Sequence, residues 1–273
     1  MIPNENIFHT VPFPVSRQPV LETLDTWGLK HPIHALLEVD VTRVRQLIRE
    51  HAAQTGETLS FTAFIIACAG RAVEENRAVQ AMRNRRNELV LFEDVDLSTI
   101  IEVTKGDHKY PVPHILRAVN RKTFKEIHAE IRKVQVAANG QRPRSRRTGI
   151  RLLRRLPAFA RRIFYRIASR NPLWMKKTVG TVALTAVGMF GQGSGWGIPI
   201  AITPLFITLG GIAEKPGVVH GRIEVREYLS LTLTFDHEIV DGAPAARFAS
   251  RLKELIECGP EPFPPERADR VRT

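Results

Sequence analysis

Residues 231–242 read LTLTFDHEIVDG. Leu231, Leu233 and Phe235 alternate with Thr232, Thr234 and Asp236, the two-residue period of a half-buried strand. The alternation stops at His237, so an imidazole stands where a rigid element gives way to a loop, a favoured place for a chemical group. Asp241 lies four residues on, and Gly242 is expected to supply a turn before the helix-like run Ala243 to Glu257. An imidazole titrates near neutrality and, with a buried carboxylate nearby, suits general-base work. Upstream, Val218 to Phe235 reads as a hairpin around His220-Gly221, leading into this strand.

Working outward, the rest of the chain alternates helical and strand-like runs. His34 to Thr42 predicts a strand and Val44 to Gln54 a helix. Ser60 is a candidate cap for an apolar helix from Phe61 to Asn76. Glu88 to Phe92 and Val95 to Val103 read as strands around Glu93-Asp94. Pro111 and Pro113 mark an irregular crossing, and Thr123 to Val136 predicts a further helix. Thr178 to Val187 and Ile200 to Ile212 are β-rich runs separated by glycines. Ser16 to Trp27 is compatible with a helix if Pro19 lies in its first turn. No repeat or linker divides the 273 residues, which are expected to form one α+β domain with a peripheral arm over 1–13 and a loose tail over 259–273.

Composition sets further bounds. Hydrophobic residues make up 43% and charged residues 25%, the profile of an ordinary globular protein. Cys68 and Cys258 offer no metal-ligand spacing, so a reduced, cytoplasmic compartment and no metal are expected. The start MIPNENIFHT lacks the basic and apolar regions of a secretory signal. No apolar run reaches the ~18 residues of a membrane span.

The net charge of +12 is concentrated. Fifteen of the 40 Lys and Arg lie between Ile131 and Lys177 with no Asp or Glu among them, leaving 25 basic against 28 acidic residues elsewhere. Within 139–177 lies QRPRSRRTGIRLLRRLPAFARRIFYRIASR. At 100° per residue, Arg151, Arg154, Arg155, Arg161, Arg162, Arg166 and Arg170 occupy about half of a helix circumference. Leu153, Leu156, Ala160, Ile163, Phe164 and Ile167 take the other side, and Pro157 should divide the helix. The plain reading is packing of the apolar face on its own domain or a neighbour. The pattern over 149–170 also suits an anionic membrane surface, peripheral at the inner membrane. Nucleic acid is disfavoured because one basic stripe lacks a recognised binding motif.

A second stretch, TVALTAVGMFGQGSGWG over 181–197, carries Thr185 on a strand that runs into a glycine-rich loop, where backbone can approach a ligand closely. Read together, GTVALTAVGMFG (180–191) and FDHEIVDGAPAARFASRLKELIE (235–257) resemble the two signature blocks of the dihydrolipoamide acyltransferase catalytic domain, the 2-oxoacid dehydrogenase acyltransferase family. LLEVDVTRVRQL (36–47) and LSFTAFIIACAGRAV (59–73) are similar to its earlier strand-to-helix blocks. The resemblance covers most of residues 14–258. It implies a chloramphenicol acetyltransferase-like two-layer sandwich, a mixed sheet with helices on one face.

The resemblance also implies roles. His237 matches the general base that deprotonates the thiol of coenzyme A or dihydrolipoamide. Thr185 matches the hydroxyl that steadies the oxyanion. Asp241 matches a carboxylate that pairs with an arginine, for which Arg17 is the best match. Coenzyme A or its acyl thioester would be a substrate, in a homotrimer or higher oligomer with His237 and Thr185 from different chains. The family's arginine after the histidine is Glu238 here, its asparagine after the oxyanion hydroxyl is Ala186, and its N-P-P-Q turn is Ile202-Thr203-Pro204-Leu205. No lipoyl domain, subunit-binding domain or flexible linker is seen, so a lipoyl group would come from a carrier protein in trans. The alternatives are an O-acetyltransferase resembling chloramphenicol acetyltransferase and a non-catalytic or membrane-associated scaffold of the same fold.

Overall fold

In the computed structural model, which describes residues 31–105, 108–140, 158–188 and 193–259, the LTLTFD run ends the last strand of a six-stranded mixed sheet. The strands are β1 (Pro32–Asp40), β4 (Leu97–Lys105), β5 (His108–Leu116), β6 (Val182–Ala186), β7 (Leu205–Val219) and β8 (Arg222–Asp236). Their order across the sheet is β1-β8-β7-β6-β4-β5. β6 runs parallel to both β4 and β7, and the remaining pairs are antiparallel. β2 (Met82–Arg83) and β3 (Leu89–Val90) form a separate two-stranded ribbon. The β7–β8 hairpin turns where expected. His220 and Gly221 both have positive φ, 49° and 77°, as a tight hairpin turn matching strand twist requires.

One face of the sheet carries helices. These are α1 (Thr42–Thr55), α2 (Phe61–Glu75), α3 (Phe124–Gly140) and α6 (Gly242–Glu257); α4 (Ala158–Ser169) and α5 (Pro172–Thr178) lie between α3 and β6 in sequence. Ser60 caps α2 as expected, its hydroxyl accepting from the Ala63 N–H at 3.2 Å. Leu231, Leu233 and Phe235 point into this layer, and Phe235 meets Phe248 of α6 edge-on at 5.8 Å between ring centres. Arg251 of α6 reaches Glu75 of α2 through two hydrogen bonds, 2.7 and 3.0 Å. The α+β class and the two-layer arrangement are those expected from the sequence.

Some local expectations change. The Pro111–Pro113 stretch is no irregular crossing; it lies inside β5, an edge strand. Alternate N–H groups of a strand point the same way, so two prolines two apart cost no ladder bond when that side is the open edge. α5 falls before the β-rich run, started by the Asn171 side chain accepting from the N–H groups of Leu173 and Trp174.

The second half of β8, from Leu229 to Asp236, is buried on both faces rather than half-buried. Ser230, Thr232 and Thr234 on its second face are at most 1% exposed. Residues 193–204 lie across that face, with the Gly195 N–H on the Ser230 hydroxyl (3.2 Å) and the Trp196 indole N–H on the Leu37 carbonyl (3.1 Å). A Cβ on Gly210 would stand 2.0 Å from the Gly195 carbonyl oxygen, so this glycine-rich loop approaches the chain's own backbone. β7 shifts register between Leu209 and Ile212 at this crossing.

Candidate functional site

The histidine turn is built on Asp236. Its N–H donates to the Pro204 carbonyl (2.9 Å), and its own carbonyl accepts from Ile239 and Val240, both at 3.0 Å. Its carboxylate accepts from the Glu238 N–H at 3.2 Å. An aspartate that bonds the backbone two residues on closes a turn by its side chain. Asp236 is buried, and it is the site residue that sequence reasoning missed; the available signal was an aspartate on the last position of a strand. The His237 N–H donates to the His31 carbonyl (2.9 Å), which anchors the turn to the start of β1.

His237 follows directly, with 45% of its side chain exposed. Its Nδ1 lies 3.0 Å from the Val240 carbonyl oxygen. A carbonyl carries no proton, so Nδ1 must be the donor, which leaves the Nε2 lone pair free to accept one. The turn thereby selects the tautomer that a general base needs.

Asp241 does not provide the expected buried carboxylate. Its side chain is 88% exposed, and Oδ1 is 3.8 Å from His237 Nδ1, beyond hydrogen-bond reach. It occupies the N-cap position of α6 without making a side-chain cap bond, which turns the carboxylate outward to solvent. Arg17, its expected partner, lies outside the described residues, as does the 1–13 arm. Gly242 is the first residue of α6 and has no positive φ, so the turn does not depend on glycine there. Glu238, which stands where the family has arginine, recruits one from elsewhere: Arg83 of β2 donates to its carboxylate at 2.7 Å, and His31 Nδ1 is 3.5 Å away.

Thr185 is half-buried on β6. Register aligns it with Thr208 of β7, and Thr208 with Thr232 of β8. Directly opposed residues share a face, so the three threonines form a row on the side away from the helices. The hydroxyls of Thr208 and Thr232 are buried and have no hydrogen-bond partner among the described residues. Two strand spacings of ~4.8 Å and five residues of ~3.3 Å along β8 put Thr185 on the order of 20 Å from His237 in one chain. The fold does not bring these two residues together within a subunit. The altered turn at Ile202-Thr203-Pro204-Leu205 has a local role, since Pro204 receives Asp236 and the buried Thr203 hydroxyl donates to the Leu205 carbonyl at 2.7 Å. Cys68 offers no competing nucleophile, because burial pushes its thiol up to about 12.

The sheet order and the helix layer define a chloramphenicol acetyltransferase-like fold. A chloramphenicol acetyltransferase structure superimposes with a TM-score of 0.50 at 13% identity, over 86% of this chain and 94% of that one. The dihydrolipoamide acetyltransferase of Azotobacter vinelandii, solved in a study of the role of a serine, a histidine and an asparagine in its catalytic mechanism, superimposes with a TM-score of 0.66. That match has 17% identity over 94% of this chain and 95% of that one. The family model for 2-oxoacid dehydrogenases acyltransferase (catalytic domain) matches residues 6–146 and 174–263, and the chain belongs to this family. The mitochondrial dihydrolipoyllysine-residue succinyltransferase component of the human 2-oxoglutarate dehydrogenase complex is 23% identical over 227 residues. That alignment takes in 81% of this chain and 42% of the relative, so the chain spans less than half of that protein's length.

Proposed function

We propose that this chain transfers an acyl group between a coenzyme A thioester and a second acceptor, with His237 of one subunit and Thr185 of another forming each site. His237 Nε2 takes the proton of the attacking thiol, and the resulting thiolate adds to the thioester carbonyl. Charge then gathers on the carbonyl oxygen, where the Thr185 hydroxyl donates a hydrogen bond. Collapse of the tetrahedral intermediate breaks the original C–S bond, and the departing sulfur takes the proton back from the imidazolium. A free thiol has a pKa of about 8.5, so a positioned base near neutrality raises the reactive thiolate where it is needed.

The observation that carries this reading is the 3.0 Å contact between His237 Nδ1 and the Val240 carbonyl, which frees Nε2. The separation of His237 and Thr185 within one chain is the support for a homotrimer or higher oligomer. The acceptor class includes thiols, hydroxyls and amines, among them a dihydrolipoyl group on a carrier protein in trans, in the cytoplasm. A non-catalytic scaffold of the same fold is the second reading, favoured by the outward carboxylate of Asp241 and the Glu238–Arg83 pair.

Free coenzyme A released from acetyl-CoA and succinyl-CoA, with dihydrolipoamide as acceptor, tests the enzyme reading. Turnover should fall at least about a hundredfold in His237→Ala. Equal turnover in the two proteins, or none by wild type across thiol, hydroxyl and amine acceptors, would favour the scaffold.

A further inference from the structure

The basic segment is absorbed by neither the sheet nor the site. It coincides with the interruption in the family match, residues 147–173. Its described part is α4 followed by α5, attached to the body from one side. Ala168 is buried, and Met175 packs in a small cluster with Met82 and Phe92 under the β2–β3 ribbon. The other side is left out. Ile163 (55% exposed), Phe164, Ile167 and Leu173 (70%) are all exposed. Ile163, Phe164 and Ile167 fall within about a third of the helix circumference. Phe164 stands edge-on to Trp174, 6.3 Å between ring centres, which joins the two helices at this surface.

Charge surrounds these apolar residues. Arg166, Arg170 and Lys177 are exposed and form no ion pair among the described residues. Arg85, from the turn between β2 and β3, donates to the Ile167 carbonyl at 2.9 Å, which brings it and the exposed Arg86 beside α4 from a distant part of the sequence. In sequence, the stretch from Ile131 to Lys177 holds fifteen basic residues and no acidic one.

We propose that the α4–α5 surface docks the protein on an anionic lipid bilayer. Exposed isoleucine, phenylalanine and leucine beside arginine is the arrangement of an element that lies in the interface, its apolar side among acyl chains and its cations among headgroups. A second copy of this chain fits poorly, since it would bring an equally basic surface into contact. Nucleic acid would meet the arginines and leave the apolar residues uncovered. Binding is at the surface: among the described residues no helix is long and apolar enough to cross a membrane. The inference is independent of the acyl-transfer reading.

The full-length protein should co-sediment with phosphatidylcholine vesicles that contain phosphatidylglycerol, and at least about tenfold less with phosphatidylcholine alone. High salt should weaken that binding. Phe164→Asp/Ile167→Asp should lose it at least about tenfold with oligomeric state and circular dichroism unchanged. Arg166→Glu/Arg170→Glu, which leaves the apolar residues in place, should lose it comparably. Absence of binding to anionic vesicles at low salt would overturn the proposal, as would variants that bind as tightly as wild type. A change of oligomeric state in the Asp variant, with no vesicle binding by wild type, would assign the surface to a second copy. Binding to an oligonucleotide but to no vesicle would assign it to nucleic acid.

Discussion

Thr185 and His237 are held in opposite ways. Thr185 sits in a strand whose position is set by β4 on one side and β7 on the other, and its own register partner is Thr208 of β7. His237 stands one residue beyond β8, in a turn fixed by Asp236 and a few contacts from distant segments. A strand interior fixes where a hydroxyl stands, whereas a turn fixes which nitrogen of an imidazole is free. The difference suits the two tasks proposed for them: an oxyanion donor needs a fixed place, and a base needs a fixed tautomer with room to exchange a proton.

The variants that test this contrast span a wide range of effect. His237→Ala should reduce turnover by about a thousandfold with the fold intact, because general-base help contributes 10²–10⁴. Thr185→Val should cost about a hundredfold, mostly in kcat, the usual loss for one oxyanion donor. If Thr185→Val instead raised KM and left kcat alone, its hydroxyl would serve binding and the contrast would fail. Arg83→Ala should slow turnover by roughly two- to fivefold, since an exposed ion pair is worth at most about 1 kcal/mol, and it acts on the His237 turn through Glu238. Exchanging the charges, Arg83→Glu with Glu238→Arg, should restore most of that loss.

Smaller effects sharpen the same comparison in the sheet. The Thr181 hydroxyl donates to Gln80 Oε1 (2.6 Å) and accepts from the Asp96 N–H (3.1 Å), so Thr181→Val should destabilise by about 1–3 kcal/mol in chemical denaturation. Thr232→Val removes a buried hydroxyl that has no partner among the described residues and should be neutral or stabilising by up to about 1 kcal/mol. Acid should loosen the α2–α6 clamp. The Arg251 hydrogen bonds hold the Glu75 carboxyl below its ordinary value. A lowered folded pKa gives stability that is present above the unfolded value, about 4.3, and is lost as pH falls below it. Between about pH 5 and pH 3, wild type should therefore lose more stability than Glu75→Gln.

Much of the frame was legible because it is local. Ser60 before an apolar run, His220-Gly221 between alternating runs, and the break in alternation at His237 each mark an element boundary within a few residues. Periodicity reports burial without naming the partner. Alternation alone reads Thr232 and Thr234 as solvent-facing, and residues 193–204, far off in sequence, cover them. The Glu238–Arg83 pair joins positions 155 residues apart and left no trace in either neighbourhood. The strand-to-loop motif reads Asp241 as a buried carboxylate, whereas at the start of α6 its side chain faces solvent. Asp236, which organises the turn, is in sequence indistinguishable from the polar phase of a strand.

The central claim is that each site takes its base and its oxyanion donor from different subunits. His237→Ala and Thr185→Ala chains, each expected to keep about 1% of wild-type turnover or less, can be co-expressed with different tags and the mixed oligomers purified through both. In a symmetric trimer every mixed ring has one interface of its three that joins an intact His237 to an intact Thr185, so the doubly purified material should recover up to about a third of wild-type turnover. Mixed oligomers no more active than their parents would contradict the account.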